Sequence, residues 1–208
     1  MIICAGESEQ FDFAIPVGIG MIDVAINLTK LCMENLPDSL IFVGTAGSYG
    51  DKEIFDIIES RTAANIENSF FAGGSYTPIE SRVSMIEDVS RETYEADNSS
   101  SCVGLKPERW SKLTRISKET VVNSSNYITT DKQVSKYYLE NNIHLENMEF
   151  YAVLKVAKAF GIPAEGILIV TNYCDENAHS DFLKNHKEAM KKLDAYVKNM
   201  IKEQMVEK

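Results

Sequence analysis

The sequence predicts an α/β fold, a three-layer α/β/α sandwich with a central mixed sheet. Strand-like and helix-like segments alternate along the chain, a pattern typical of helices packed on both faces of a sheet. The run Gly166–Val170 is continuously apolar, as in a strand that is buried on both faces. Because 44% of the 208 residues are hydrophobic, the chain can bury a substantial core. We therefore expect one domain over residues 1–208.

The first elements follow from apolar runs and glycine turns. Met1–Ala5 is strand-like, and the glycine turn Val17–Gly20 leads into a helical run over Met21–Leu31. Phe42–Gly47 has the pattern of a strand that runs into a loop. The least regular region, residues 81–117, is predicted to be a long loop or an insertion.

Two later helices have clear apolar periodicity. The helix that starts near Glu149 has apolar residues at helical spacing, namely Met148, Ala152, Val153, Val156, Ala157 and Phe160. Gly161 and Pro163 are expected to end it, and the Gly166–Val170 strand follows. Residues 180–205 predict a long helix with one apolar side and a lysine-rich solvated face.

Composition excludes several classes of function. The formal net charge of −10 argues against nucleic acid as a partner, since phosphate backbones require clustered basic surface. No stretch reaches the roughly 18 apolar residues of a membrane span, and the N-terminus has no signal-peptide pattern, so no membrane association and a cytoplasmic location are expected. A small molecule is the expected partner.

Neither the cysteines nor the histidines indicate a metal site. The cysteines lie far apart and form no CxxC pair, so reduced thiols are expected at Cys4, Cys32, Cys102 and Cys174. The histidines lack partners at a metal-ligand spacing, so helix-face or surface positions are expected for His144, His179 and His186.

A carboxylate and an amide mark the ends of neighbouring elements in the most informative stretch. Glu149 begins the apolar helix, and Asn172 ends the strand that follows. Ligands of open α/β sheets bind beyond the carboxyl ends of the strands, so both side chains can meet in one pocket. Taken alone, Glu149 would more often be a solvated residue in a first helical turn, favoured there by the helix dipole.

Four segments, taken in order, resemble the nucleoside phosphorylase and nucleosidase superfamily. Asn147-Met148-Glu149 together with Thr171-Asn172 is similar to the signature of that superfamily. Val17–Gly20, Phe42–Gly47 and Ser124–Ile128 match its glycine turn, its segment beside the anomeric carbon and its base-stacking strand end. The resemblance covers most of the chain and implies a nucleoside phosphorylase-like fold and cleavage of an N-glycosidic bond.

The resemblance also implies roles for individual residues. Glu149 would grip the ribose hydroxyls, Met148 would pack under the sugar, and Tyr127 would stack on the base. Asn172 would contact the leaving base. The glycine segments would contribute the remaining substrate contacts, from Ile19, Thr45, Ala46 and Gly47.

The residue expected to contact the base limits which nucleosides are expected as substrates. Breaking a ribosyl C–N bond passes through an oxocarbenium-like state, which a carboxylate near the ribose stabilises. Adenine-cleaving relatives have an Asp where this chain has Asn172, and an amide donates a hydrogen bond but delivers no proton. A purine nucleoside with a 6-oxo group is therefore the expected substrate, because its leaving anion is more stable than that of adenine.

Two positions indicate whether water or phosphate attacks the anomeric carbon. Glu9 aligns with the glutamate that activates water in nucleosidases, whereas Phe42 stands where phosphorylases have a phosphate-binding arginine. Hydrolysis is favoured, with Glu9, Glu149 and Asn172 as catalytic residues and no cofactor. Phosphorolysis as a purine nucleoside phosphorylase is the alternative, with phosphate as co-substrate and the phosphate clamp drawn from Arg61, Arg82 and Arg91.

Some positions depart from the superfamily pattern. Asn147 and Leu168 replace an acidic and a basic residue, and the stretch between Glu9 and Gly18 is short. A non-catalytic nucleoside-binding or oligomer-scaffold protein is therefore a second alternative. A generic flavodoxin-like domain would explain the glycine turns but neither Met148-Glu149 nor Tyr127. A homodimer or higher homo-oligomer is expected from the resemblance.

Overall fold

A computed structural model describes residues 1–86 and 119–206, with side chains to residue 203. The described strands are β1 (Ile2–Cys4), β2 (Ile15–Pro16), β3 (Leu40–Ser48), β4 (Ile57–Ser60), β5 (Thr62–Ala64), β6 (Arg82–Ser84), β7 (Val121–Ser124), β8 (Leu145–Asn147) and β9 (Ala164–Tyr173). The described helices are α1 (Gly20–Glu34), α2 (Asn68–Phe71), α3 (Lys132–Glu140), α4 (Phe150–Phe160) and α5 (Ala178–Val206). None of these helices is both long and apolar enough to cross a membrane.

All nine described strands form one mixed sheet with β3 at its centre. Along one edge, β3 pairs in parallel with β9 from Leu40 to Ser48. Along the other edge it pairs in parallel with β1 and, at its carboxyl end, antiparallel with β8. The short strand β8 also pairs in parallel with β7, so it joins the two halves of the sheet. The polar side chains of β8 therefore lie beside the end of the central strand.

Neighbouring residues of the central strands point into different helical layers. Phe42 and Leu168 belong to the apolar cluster formed with α1 and α4. Val43 and Ile167 belong to the cluster formed with α5 on the opposite face. This alternation has a period of two residues, as expected for strands covered on both faces. The predicted three-layer α/β/α arrangement and mixed sheet are confirmed.

Most predicted elements are present, with small shifts at their ends. Helix α4 ends at Gly161, whose φ of 67° is the left-handed conformation that favours glycine at a helix end. The glycine segment 42–47 differs from expectation, since it remains inside β3 and only its register with β9 shifts between Ala46 and Gly47. Within the predicted irregular region 81–117, strand β6 pairs with β5. Residues 87–118, including Arg91 and Cys102, lie outside the described part of the chain.

Candidate active site

A pocket of about 330 Å³ opens at the carboxyl ends of β3 and β9. Its walls come from the loop after β1, the start of α1, strand β8, the start of α4 and the first turns of α5. Every residue predicted for the site lines this pocket, namely Glu9, Ile19, Thr45, Ala46, Gly47, Tyr127, Met148, Glu149 and Asn172. Residues far apart in sequence thus meet where the fold of an open sheet predicts a ligand.

Glu149 immediately precedes α4, and the residue is 5% exposed. Its Oε1 accepts a hydrogen bond of 2.9 Å from the backbone N–H of Gly20, the first residue of α1. Gly20 has a φ of 80°, and a Cβ there would lie 3.1 Å from Asn126 Oδ1. The predicted glycine turn therefore lets an amide approach the carboxylate closely, which explains the glycine at this position.

Asn147 connects Glu149 to the central strand. Its Oδ1 accepts hydrogen bonds from the backbone N–H of Glu149 at 2.7 Å and of Phe150 at 2.8 Å. Its Nδ2 donates to the carbonyl of Thr45 at 3.2 Å. The amide thus caps the start of α4 and sets the distance between Glu149 and β3, a task that needs both a donor and an acceptor.

Glu9 reaches the pocket from a tight turn after β1. Its backbone N–H donates to the Gly6 carbonyl at 2.9 Å, and Gly6 has a φ of 102°. The carboxylate accepts hydrogen bonds from both the backbone N–H and the hydroxyl of Thr45. A Cβ at Gly44 would lie 2.9 Å from Glu9 Oε2, so the glycine leaves room for the carboxylate.

Burial raises the pKa of both carboxyls. For Glu149 the pKa rises to about 7, because desolvation and then the charge of Glu9 outweigh the hydrogen bonds from the backbone of Gly20 and Met148. Desolvation also raises the pKa of Glu9, while the two hydrogen bonds from Thr45 and the nearby His186 oppose the rise. A perturbed carboxyl pair in a cleft is typical of catalytic sites.

Asn172 is held in a fixed orientation at the end of β9. Its Oδ1 accepts from the hydroxyl of Thr171 at 2.8 Å, and its Nδ2 donates to the carbonyl of Tyr173 at 3.0 Å. A Cβ at Gly47 would lie 3.0 Å from that nitrogen, so the glycine of β3 makes space for the amide. The second hydrogen of Nδ2 remains available to a ligand in the pocket.

The mouth of the pocket is apolar and open. Tyr127 is 84% exposed, Ile128 is 56% exposed and Ile19 is 39% exposed. The ring of Tyr127 thus has a free face from which it can contact a planar ligand.

Phe42 does not line the pocket. It is fully buried, and its ring stacks on that of Phe150 with centroids 6.1 Å apart. Arg61 and Arg82, two of the residues considered for a phosphate clamp, are also absent from the pocket wall, and Arg82 donates instead to the carbonyl of Asn141. No lysine or arginine of residues 1–86 or 119–206 lines the pocket.

The pocket wall also contains residues that were not predicted for the site, among them Glu146, His179 and Phe182. Glu146 lies on β8, three residues before Glu149, and His179 and Phe182 lie on the first turns of α5. His179 was expected at a surface or helix face, and it is an exposed helical residue beside the pocket. Among the described residues, no cluster of three or more His, Cys, Asp or Glu side chains is suited to a metal ion.

Comparison with known proteins supports the family resemblance. The family model of the phosphorylase superfamily matches residues 2–202. A search of the curated proteins finds no match.

Several solved structures share the fold. A mutant of the Helicobacter pylori 5′-methylthioadenosine/S-adenosylhomocysteine nucleosidase, with 5′-methylthioadenosine in its active site, is 16% identical over 97% of both chains, with a TM-score of 0.70. The futalosine hydrolase of Helicobacter pylori is also 16% identical with a TM-score of 0.70, over 97% of this chain and 96% of its own. The Neisseria meningitidis nucleosidase bound to methylthio-immucillin-A is 16% identical over 97% of both chains, with a TM-score of 0.67.

The family model spans nearly the whole chain, and the fold is similar to that of the solved structures over 97% of the chain. The predicted fold and the prediction that the protein is an enzyme are both confirmed. The protein belongs to the phosphorylase superfamily, whose enzymes cleave the N-ribosyl bond of nucleosides.

Proposed function

We propose that the protein hydrolyses the N-glycosidic bond of a purine nucleoside, with a 6-oxopurine as the leaving base. The observation that carries this proposal is the meeting of Glu9, Glu149 and Asn172 in one pocket without a lysine or arginine among the described residues. Each of the three has a distinct proposed task, the two carboxylates acting at the sugar and the amide at the base. Enzymes of this type need no cofactor.

Glu149 is the proposed ribose-binding group. Hydroxyl donors of the sugar favour the ionised carboxylate, so substrate binding would draw the proton from a group whose pKa is about 7 in the free protein. The same negative charge stabilises the positive charge that develops on the ribose ring as the C–N bond lengthens. Met148, the neighbouring pocket residue, supplies an apolar surface for the sugar.

Glu9 is the proposed general base. It takes a proton from a water molecule as the water oxygen bonds to the anomeric carbon, while the C–N bond breaks and its electron pair leaves with the base. The base leaves as an anion and takes up a proton from solvent, and Glu9 later returns its proton to solvent. The products are therefore free ribose, or a 5′-substituted ribose, and the neutral purine. The paired hydrogen bonds from Thr45 orient the carboxylate and favour its ionised form.

Asn172 and Tyr127 are the proposed base-binding groups. The free N–H of Asn172 would donate to N7 or O6 of the purine, and Tyr127 would stack on the ring. Among the similar structures, the nucleosidases act on an adenine nucleoside, 5′-methylthioadenosine, and another is a futalosine hydrolase. The amide at Asn172 is our reason for favouring a 6-oxopurine over adenine.

Other expected properties accompany this function. We propose a role in purine salvage, a single domain over residues 1–208, a cytoplasmic location and a homo-oligomer. In α1, Ile22 is 67% exposed and Ile26 is 49% exposed, and both lie near the pocket residue Ile19. Because exposed apolar patches often mark contacts between proteins, these residues support the oligomer. Phosphorolysis remains the second candidate, since Arg91 lies outside the described residues.

Glu149→Gln should lower base release by roughly 10²-fold or more, because an amide cannot supply the negative charge that the ribose transition state needs. Hypoxanthine release from inosine, followed by chromatography, measures the effect. Glu165→Gln is the matched control, since burial raises the pKa of Glu165 as well but this residue lies outside the pocket wall. Equal losses of activity in the two variants would contradict the assigned role.

The same Glu149 variant should change the pH dependence of stability. The folded-state pKa of Glu149 is about 7 and its ordinary value is 4.5, so the folded protein loses stability as the pH rises from 4.5 through 7. Glutamine removes this loss, and Glu149→Gln should be more stable than the wild type by about 2–3 kcal/mol at pH 8 and no more stable at pH 4. Urea unfolding at both pH values measures the difference.

Asn172→Asp should shift substrate preference from inosine and guanosine toward adenosine and methylthioadenosine. The new carboxyl oxygen would face the Tyr173 carbonyl, which disfavours the ionised form, and the acid could transfer its one proton to adenine as the C–N bond breaks. Ratios of kcat/KM for the four nucleosides measure the preference. Equal or faster cleavage of the adenine nucleosides by the wild type would contradict the proposed role of Asn172.

Base release should proceed in phosphate-free buffer and yield free ribose, and Glu9→Gln should reduce it by roughly 10²–10⁴-fold, the usual contribution of a general base. Ribose and ribose 1-phosphate are separated by chromatography. If the product were ribose 1-phosphate and the rate saturated with added phosphate, hydrolysis would be wrong. Arg61, Arg82 and Arg91 would then be tested as the phosphate clamp, also from a second subunit.

A further inference from the structure

Glu146 is a third buried carboxyl beside the pocket, and the proposed reaction does not use it. It is 7% exposed and receives hydrogen bonds from the backbone N–H of Thr129 at 2.8 Å and from the Thr129 hydroxyl at 2.5 Å. The hydroxyl of Tyr49 donates to it from the other side at 2.8 Å. Three donors on one buried carboxyl indicate a group that is fixed in place, because each donor would otherwise be unpaired.

The residues that Glu146 holds form the loop at the pocket mouth. At one end of this loop, the backbone N–H of Ser125 donates to the Asn147 carbonyl at 3.1 Å. At the other end, both donors of Thr129 bind Glu146. Between these two anchors on β8 lie Tyr127 and Ile128, which are largely exposed. The position of the Tyr127 ring therefore depends on how firmly the loop ends are held.

The far side of Glu146 is closed by aromatic side chains. Tyr49 stacks on Tyr138 with ring centroids 4.2 Å apart and an angle of 8° between the rings. Tyr138 is itself anchored through its hydroxyl to the Ile66 carbonyl and to Asn68. Burial beside Glu146 raises the pKa of Tyr49, so its hydroxyl stays protonated and donates. Tyr49, which this stacking fixes, thus holds the Glu146 carboxyl in place, and the carboxyl in turn holds Thr129 at the end of the loop.

We propose that Glu146 is a positioning residue for the base-binding side of the pocket, where it holds the 125–129 loop so that Tyr127 meets the purine ring. The inference rests on the proposed function, because it takes Tyr127 as the residue that contacts the base. Strand β8 then carries two positioning residues that act on different sides of the pocket. Asn147 positions the carboxylate on the ribose side, and Glu146 positions the aromatic ring on the base side.

Glu146→Ala should raise KM for inosine roughly ten- to a hundredfold, because buried hydrogen-bond donors of the loop lose their partner, with a much smaller change in kcat. Glu146→Gln should restore most of the affinity, because its Oε1 can accept from the Thr129 amide and its NH₂ can donate to the two hydroxyls. Tyr49→Phe is the matched control, since it removes a hydrogen bond to the same carboxyl but none to the loop. Its KM should remain near that of the wild type.

Amide hydrogen exchange provides a readout that does not depend on activity. Glu146→Ala should increase exchange in a peptide covering residues 125–129 and leave the α4 peptide unchanged. Thr129→Val, which removes the hydroxyl tether from the opposite partner, should produce a smaller change of the same kind, and it tests the proposal if Glu146→Ala does not fold.

Two results would overturn the inference. One is unchanged exchange in residues 125–129 of the folded Glu146→Ala or Thr129→Val variant. The other is faster exchange there without a rise in KM. If the wild type releases no base from any nucleoside, the proposed function fails, while the exchange measurement still decides whether Glu146 holds the loop.

Discussion

The side-chain amide of Asn147 makes the interaction on which the rest of the pocket depends. It accepts from the first amides of α4 and donates to the carbonyl of Thr45 in the central strand. Thr45 in turn donates twice to Glu9, and Glu149 accepts from the start of α1. One continuous chain of hydrogen bonds therefore sets the separation of the two carboxylates. An acidic residue at position 147 could accept these bonds when ionised, but it could not also donate to the Thr45 carbonyl.

The pocket keeps two carboxyls in an apolar environment at a cost to stability. Backbone amides and the Thr45 hydroxyl compensate only part of the lost hydration, as the raised pKa of both Glu9 and Glu149 indicates. No lysine or arginine of the described residues lines the pocket to compensate the rest. A buried carboxylate without full compensation destabilises the folded protein, but it binds readily to a ligand that brings hydrogen-bond donors. A site for ribose requires this property.

Much of the fold and part of the site could be predicted from the sequence because the relevant signals are local. Apolar periodicity identifies α4, and the glycine turn before α1 and the Met148-Glu149 pair identify two walls of the pocket. The glycine segment of β3 was predicted to run from a strand into a loop, but Gly44 and Gly47 lie inside the strand and leave space for Glu9 and Asn172. That function depends on neighbours more than 30 positions away in the sequence, so no local pattern reveals it.

Glu146 and His179 were not predicted for related reasons. Glu146 acts through Tyr49 and Thr129, and only the pairing of β8 with β3 and β7 brings these residues together. His179 reaches the pocket because α5 begins soon after the end of β9, and no spacing of metal ligands or catalytic partners marks it. Strand pairing, rather than a local sequence pattern, brings three buried carboxyls together around one small cavity.

The central claim is that Glu149 meets the ribose hydroxyls as a carboxylate. Isothermal titration calorimetry with 9-deazainosine, which has a C–C bond in place of the glycosidic C–N bond and is not cleaved, tests it most directly. Titrations at pH 7 in buffers of different ionisation enthalpy report the protons exchanged on binding. We predict release of a fraction of a proton by the wild type and none by Glu149→Gln. Binding without proton release, or the same release in both proteins, would contradict the account.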